Sequence, residues 1–133
     1  MRQVSLQAGQ YPHRGWGVAT KVGADLVVII GGGDAPHIGA VALATARPSL
    51  ADPEQSSASA SVLCVTGHKE DELARSYALR LSSRFRCQVC VSAGIHVDDA
   101  TPNDLRTLVA NANELMESLE EELLRCGALG ADC

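Results

Sequence analysis

The stretch that decides the fold is Leu26-Val27-Val28-Ile29-Ile30-Gly31-Gly32-Gly33. Its apolar part holds five residues, four of them β-branched, which is too short for a buried helix and typical of a buried strand. The three glycines end the strand and permit a turn or the close approach of another backbone. This stretch therefore predicts an inner strand of a sheet.

Shorter segments around it predict five further strands, at residues 4–6, 17–22, 39–45, 61–66 and 89–93. Residues 34–46 also allow a helix capped by Asp34, but the large–small alternation after the glycines favours a strand that returns antiparallel. Apolar residues every three or four positions predict helices over 70–84 and from Pro102 to Leu123.

This order of elements, ββββ-β-α-β-α, predicts an α/β protein of the α+β type. We expect a single, mainly antiparallel sheet with both helices packed on one face. Residues 1–133 are enough for a single domain. Residues 47–61 hold two prolines, five serines and few apolar side chains, which predicts a mobile surface loop.

Composition excludes several classes of function. The net charge is −5 and no basic stripe is present, which argues against binding of nucleic acid. No apolar run reaches the ~20 residues of a membrane span, and the first residues lack the apolar core of a signal peptide. Five cysteines without an export signal indicate free thiols and a cytoplasmic protein. Aromatic residues make up only 3%, so the core must be aliphatic and thin, which favours a homodimer.

Three strand-ending loops each combine glycine, histidine and an acidic residue: Gly31–Gly39 with His37, Thr66–Asp71 with His68, and Ala93–Asp99 with His96. Backbone amides at such glycines can cradle an anion, and Gly67-His68 precedes the start of a predicted helix, where a phosphate is favoured. Lys69 adds positive charge. We therefore expect one shared ligand site, whereas the fourth histidine, His13, is expected at the surface.

The same histidines also allow a metal site. Neutral imidazoles bind zinc-like or iron-like divalent ions, which makes His37, His68 and His96 candidate ligands. No nucleophile and base stand in a recognisable motif, so no catalytic residue is predicted.

Three segments taken together resemble a known family: Gly32–Val41, Gly67–Ala74 and Ala93–Asp98. They are similar to the small D component of hydroxyarylic-acid (gallate and related) decarboxylase systems, the LpdD-like prenylated-flavin chaperones. The resemblance runs from about Asp25 to Leu119.

This resemblance implies a non-catalytic accessory protein that binds prenylated FMN, or FMN, and assists a UbiD-type decarboxylase of aromatic-acid metabolism. A flavin prenyltransferase is a further implied partner. Carried onto this sequence, the cofactor-binding candidates are Gly32, Gly33, Asp34, His37, Gly67, His68, Lys69, Gly94 and His96. Since aromatic residues are scarce, the flavin ring is expected among aliphatic side chains or between two subunits. The alternatives are a small metal-dependent enzyme that uses the three histidines, or a structural subunit of a decarboxylase.

Overall fold

A computed structural model describes residues 3–65 and 70–127. These ranges contain six strands and two helices in the predicted order. The elements are β1 (Gln3–Ala8), β2 (Gly15–Val22), β3 (Asp25–Gly33), β4 (Ala40–Pro48), β5 (Ser56–Cys64), α1 (Asp71–Phe85), β6 (Val89–His96) and α2 (Pro102–Arg125). The α+β fold with two helices and a mainly antiparallel sheet is therefore confirmed.

Within the described ranges the strands form one sheet in the order β1-β2-β3-β6-β4-β5. Only the β3–β6 pair among them is parallel. β3 is an inner strand as predicted, but only one of its faces is buried. Leu26, Val28 and Ile30 are at most 2% exposed, whereas Ile29 is 45% exposed on the other face.

The prediction that β4 returns directly beside β3 is wrong, because β6 lies between the two strands. Residues 34–39 instead cross the end of β6 and hydrogen-bond to it. The amide of Asp34 donates to the carbonyl of His96 over 2.9 Å, and that of Gly39 donates to Ala93 over 2.9 Å. The connection is therefore held by a strand that follows it in the sequence by more than fifty residues, which local turn signals do not reveal.

The predicted loop 47–61 is shorter in the structure. β4 continues through Pro48 and β5 begins at Ser56, which leaves residues 49–55 between them. The serine-rich segment is a strand because β5 lies at the edge of the sheet, where small polar side chains face water while the backbone pairs with β4. Nothing in the composition of such an edge strand distinguishes it from a loop.

Both helices pack on the same face of the sheet. α1 contacts β4, β5 and β6, and α2 contacts β1 and β2. The hydroxyl of Tyr77 in α1 donates to the carbonyl of Ala112 in α2, and burial raises the pKa of Tyr77 well above its usual value. The largest fully buried side chains are Leu26, Val28, Ile30, Leu81, Ser82, Val89, Val91, Leu115 and Leu119.

Two expectations concern the cellular setting. Cys126 is disulfide-bonded, so the expectation of free thiols is wrong there, whereas Cys87 and Cys90 are free.

Neither described helix combines the length and apolar character needed to cross a membrane.

Candidate functional site

Strands β3 and β6 end side by side at one edge of the sheet, which we call the histidine edge. The strands are parallel, and Gly33, the last residue of β3, is paired with His96, the last residue of β6. His37 lies in the segment that leads from β3 across the end of β6 to β4. Topology therefore brings together two histidines that are far apart in the sequence.

The rings of His37 and His96 are in edge-to-face contact, with centroids 6.1 Å apart and planes at 79°. Nε2 of His37 lies 2.8 Å from Oε1 of Glu70, the residue before α1. Its Nδ1 lies 3.1 Å from the carbonyl oxygen of Ala35. Both His37 and Glu70 are mostly buried, with side chains 23% and 12% exposed. This ring is thus held between the strand connection and the start of a helix.

His96 is the more accessible of the two rings. Its side chain is 47% exposed, and its Nε2 lies 2.8 Å from Oδ1 of Asp98, which is 80% exposed. A carboxylate at one ring nitrogen determines which nitrogen carries the proton and orients the other. Within residues 3–65 and 70–127, Asp98 is the one hydrogen-bond partner of the His96 ring.

The glycines of this edge allow the chain to cross itself. Gly33 has a φ of +76°, and a Cβ there would lie 1.9 Å from the carbonyl oxygen of His96. A Cβ at Gly94 would lie 1.7 Å from the carbonyl oxygen of His37. Since real Cβ atoms do not approach so closely, both positions require glycine for packing.

The backbone amides beside these glycines are engaged within the chain. Gly33 donates to the carbonyl of Arg14 over 3.0 Å, and Asp34 and Gly39 donate to β6. The expected backbone cradle for an anion is therefore not formed at these positions. At this part of the edge, side chains are the available donors.

Sequence reasoning missed Arg14 at the histidine edge and expected His13 to be a surface residue. The Arg14 carbonyl accepts from Gly33, which places this residue at the end of β3, and its side chain is exposed. His13 is a packed residue instead of a free surface residue, because its Nε2 lies 2.7 Å from Oδ1 of Asp104 in α2. The cationic Arg14 directly before Gly15 could have suggested a ligand contact. The sequence does not show that β2 pairs with β3, and this pairing is what places Arg14 beside Gly33.

The remaining predicted residues divide into two groups. Asp34 is exposed at this edge, whereas Gly67, His68 and Lys69 lie outside the described residues. Among the residues that are described, no three His, Cys, Asp or Glu side chains are arranged to hold a metal ion. The structure therefore does not support the predicted metal site at His37 and His96.

Comparison with known proteins gives the following findings. Residues 13–124 match the family model of the prenylated flavin chaperone LpdD-like domain. No curated protein matches the sequence. Among solved structures, a chain of "Crystal Structure of a Novel Chaperone Complex for Yeast 20S Proteasome Assembly" has a similar fold, with a TM-score of 0.56 and 17% identity. The match covers 97% of this chain and 98% of that one. Because the family model covers most of the sequence, the chain belongs to the prenylated flavin chaperone LpdD-like family.

Proposed function

We propose that this protein is a non-catalytic accessory protein of the cytoplasm that binds prenylated FMN, or FMN more weakly. It assists delivery of this cofactor to a UbiD-type decarboxylase of aromatic acids, or maturation of that enzyme. A flavin prenyltransferase and a second copy of the chain are further partners. The observation that carries the proposal is the pair of imidazoles 6.1 Å apart at the histidine edge, one from the end of β6 and one from the segment that crosses it, in a chain of this family.

The donors at the histidine edge suit a flavin nucleotide. Imidazole N–H groups and a guanidinium donate charge-assisted hydrogen bonds to phosphate and carbonyl oxygens. We assign these contacts to His96 and Arg14, together with His68 and Lys69 after β5. His37, whose two ring nitrogens lie against Glu70 and the Ala35 carbonyl, contributes to the site through its ring contact with His96. The carboxylates of Glu70 and Asp98 each face an imidazole nitrogen, so they orient the rings. Gly32, Gly33, Gly67, Gly94 and Asp34 complete the proposed site.

Trp16 is the aromatic residue best placed for the flavin ring. It pairs with Gly31 in the neighbouring strand, and Gly31 pairs with Gly94. A Cβ at Gly31 would lie 2.2 Å from the indole, so the indole lies against the glycine on the side of the sheet away from the helices. The indole of Trp16 therefore lies two strands away from Gly94 in β6, and the crossing segment that carries His37 packs against Gly94. Aromatic rings favour offset stacking on other π-systems, which is the chemistry an isoalloxazine requires.

The first test is to coexpress the protein with a flavin prenyltransferase and to measure its native mass. We expect one prenylated FMN per chain and restored activity when the complex is mixed with a cofactor-free UbiD-type decarboxylase. A stoichiometric transition metal and turnover without a partner would instead support the small metal-dependent enzyme. Stable assembly with the decarboxylase and no bound flavin would support a structural subunit.

The second test assigns the site with FMN as the probe. His96→Ala should weaken FMN binding about ten- to a hundredfold, because a charge-assisted hydrogen bond is lost. The control is Gln88→Ala, which removes an exposed polar side chain just before the other end of β6 and should leave the affinity unchanged. Titration calorimetry measures both. Equal affinities in wild type and His96→Ala would remove His96 from the site, and no FMN binding by wild type would contradict the proposed function.

A further inference from the structure

The face of the sheet opposite the helices, which we call the open face, carries two adjacent rows of paired residues. The first row is Thr20, Val27, Cys90, Leu43 and Ser61, and the second is Val18, Ile29, Ser92, Val41 and Leu63. Because neighbouring residues of a strand point to opposite faces, the residues between them point at the helices. Val28, Val91 and Ala42 are accordingly 0% exposed.

The open face is apolar and exposed. Ile29, Leu43 and Leu63 are 45%, 49% and 78% exposed, and they lie on three different strands with half-buried Val41 among them. Isolated exposed apolar side chains are ordinary, but a contiguous patch on a soluble protein marks an interaction surface. The sequence of β3 gives the same indication. A strand that is covered on one face only normally alternates apolar and polar residues, whereas residues 26–30 of β3 are all apolar.

The two rows also contain no charged residue, although charged residues make up 20% of the sequence. Two identical faces repel each other when they carry a net charge, and this chain has a net charge of −5. An uncharged face avoids that repulsion. Depletion of charge is also what distinguishes the core of an interface from ordinary surface.

The whole face of the sheet, of which the two uncharged rows are the middle, approaches the area that a dimer requires. Six strands spaced about 4.8 Å apart, over paired segments of about six residues, give a flat area of roughly 550 Å² for the whole face. Two such faces bury roughly 1,100 Å² without the contribution of protruding side chains, just below the ~1,200 Å² at which stable interfaces begin. Identical faces pack by a two-fold axis, and stacked sheets lie ~10 Å apart.

We infer that the open face binds a second copy of this chain, so that the homodimer is a sheet-on-sheet sandwich with the helices outside. The apolar stripe of α2 is the alternative surface for a dimer. That stripe does expose Leu105 and Val109, by 54% and 60%, but the charged Arg106 adjoins them. Trp16, which we propose for the flavin ring, lies on the same side of the sheet, one row beyond Val18 and Ile29. The measurements below are therefore made without flavin, so that they test the dimer separately from flavin binding.

The test compares substitutions of two exposed β-branched residues, Ile29 and Val109, which are 45% and 60% exposed. Ile29→Lys places a charge in the middle of the open face, twice in a symmetric dimer, and Val109→Lys places the same charge on α2. Both side chains are exposed in the single chain, so neither change should prevent folding, which circular dichroism checks. Sedimentation equilibrium should show dimeric wild type and Val109→Lys, and a dissociation constant at least about a hundredfold higher for Ile29→Lys.

A second substitution, Leu43→Lys, tests the neighbouring strand and should act like Ile29→Lys. Monomeric wild type at ~50 μM, near the weak end of specific association, would overturn the inference. So would dissociation by Val109→Lys alone, which would place the interface on α2. Dimers that persist in both open-face variants would overturn it as well.

Discussion

Gly94 decides whether β3 can connect to β4 across the end of β6. The carbonyl of His37 occupies the space that a Cβ at this position would need, at 1.7 Å. The same crossing places the His37 ring against His96. A single methyl group at Gly94 must therefore move the segment that carries His37, one of the two imidazoles of the proposed site.

Gly94→Ala should lower the free energy of unfolding by about 2–3 kcal/mol, the usual cost of forcing an extra carbon into a packed site. Gly15→Ala is the matched control, because Gly15 is also a buried strand glycine but its Cβ would make ordinary contact, 3.7 Å from Leu115. We expect less than about 1 kcal/mol of change there. Urea unfolding measures both, and similar losses in the two variants would contradict the crossing geometry.

At the scale of an element, the start of α2 is held by a reciprocal cap. The Thr101 side chain accepts from the amide of Asp104 over 3.1 Å, and the Asp104 carboxylate accepts from the amide of Thr101 over 2.8 Å. The same carboxylate contacts His13. One acidic side chain thus joins the helix start to the turn between β1 and β2.

These contacts give a prediction for acid pH. The backbone hydrogen bond from Thr101, and then the hydrogen bond from His13, lower the pKa of Asp104 from 3.8 to about 2. The unfolded chain binds this proton more readily, so the stabilisation is complete above about pH 4 and is lost as the pH falls towards 2. Asp104→Asn should lower the melting temperature at pH 7, and its deficit should shrink between pH 4 and 2. Thermal melts at several pH values measure this, and a constant deficit would contradict it.

At the scale of the whole molecule, the homodimer inferred above links stability to concentration. Ligands and partner subunits that bind only the folded state raise its melting temperature by mass action. The melting temperature of wild type should rise by about 2–3 °C for each tenfold increase in protein concentration. That of Ile29→Lys should stay constant. Calorimetry over a hundredfold range measures both, and a concentration-independent wild type would argue for a monomer.

The order of elements, the helix-covered sheet and the family could all be predicted from the amino-acid sequence. These properties depend on local periodicity and on short motifs: β3 is recognisable from four β-branched residues, and the motifs around His37, His68 and His96 carry the resemblance. The sequence also identified His37 and His96 as candidates for one site. Those signals are local, so they can be recognised without knowing which strands pair with each other.

The strand neighbours and the packing role of the glycines became visible with the tertiary structure alone. β6 enters between β3 and β4, and Gly33 and Gly94 permit that crossing by close packing. The tertiary structure also brought Arg14 to the histidine edge and left Ile29 uncovered. The physical reason is that pairing and packing join residues distant in the chain, and a run of apolar residues does not record whether one face of its strand or both faces will be covered.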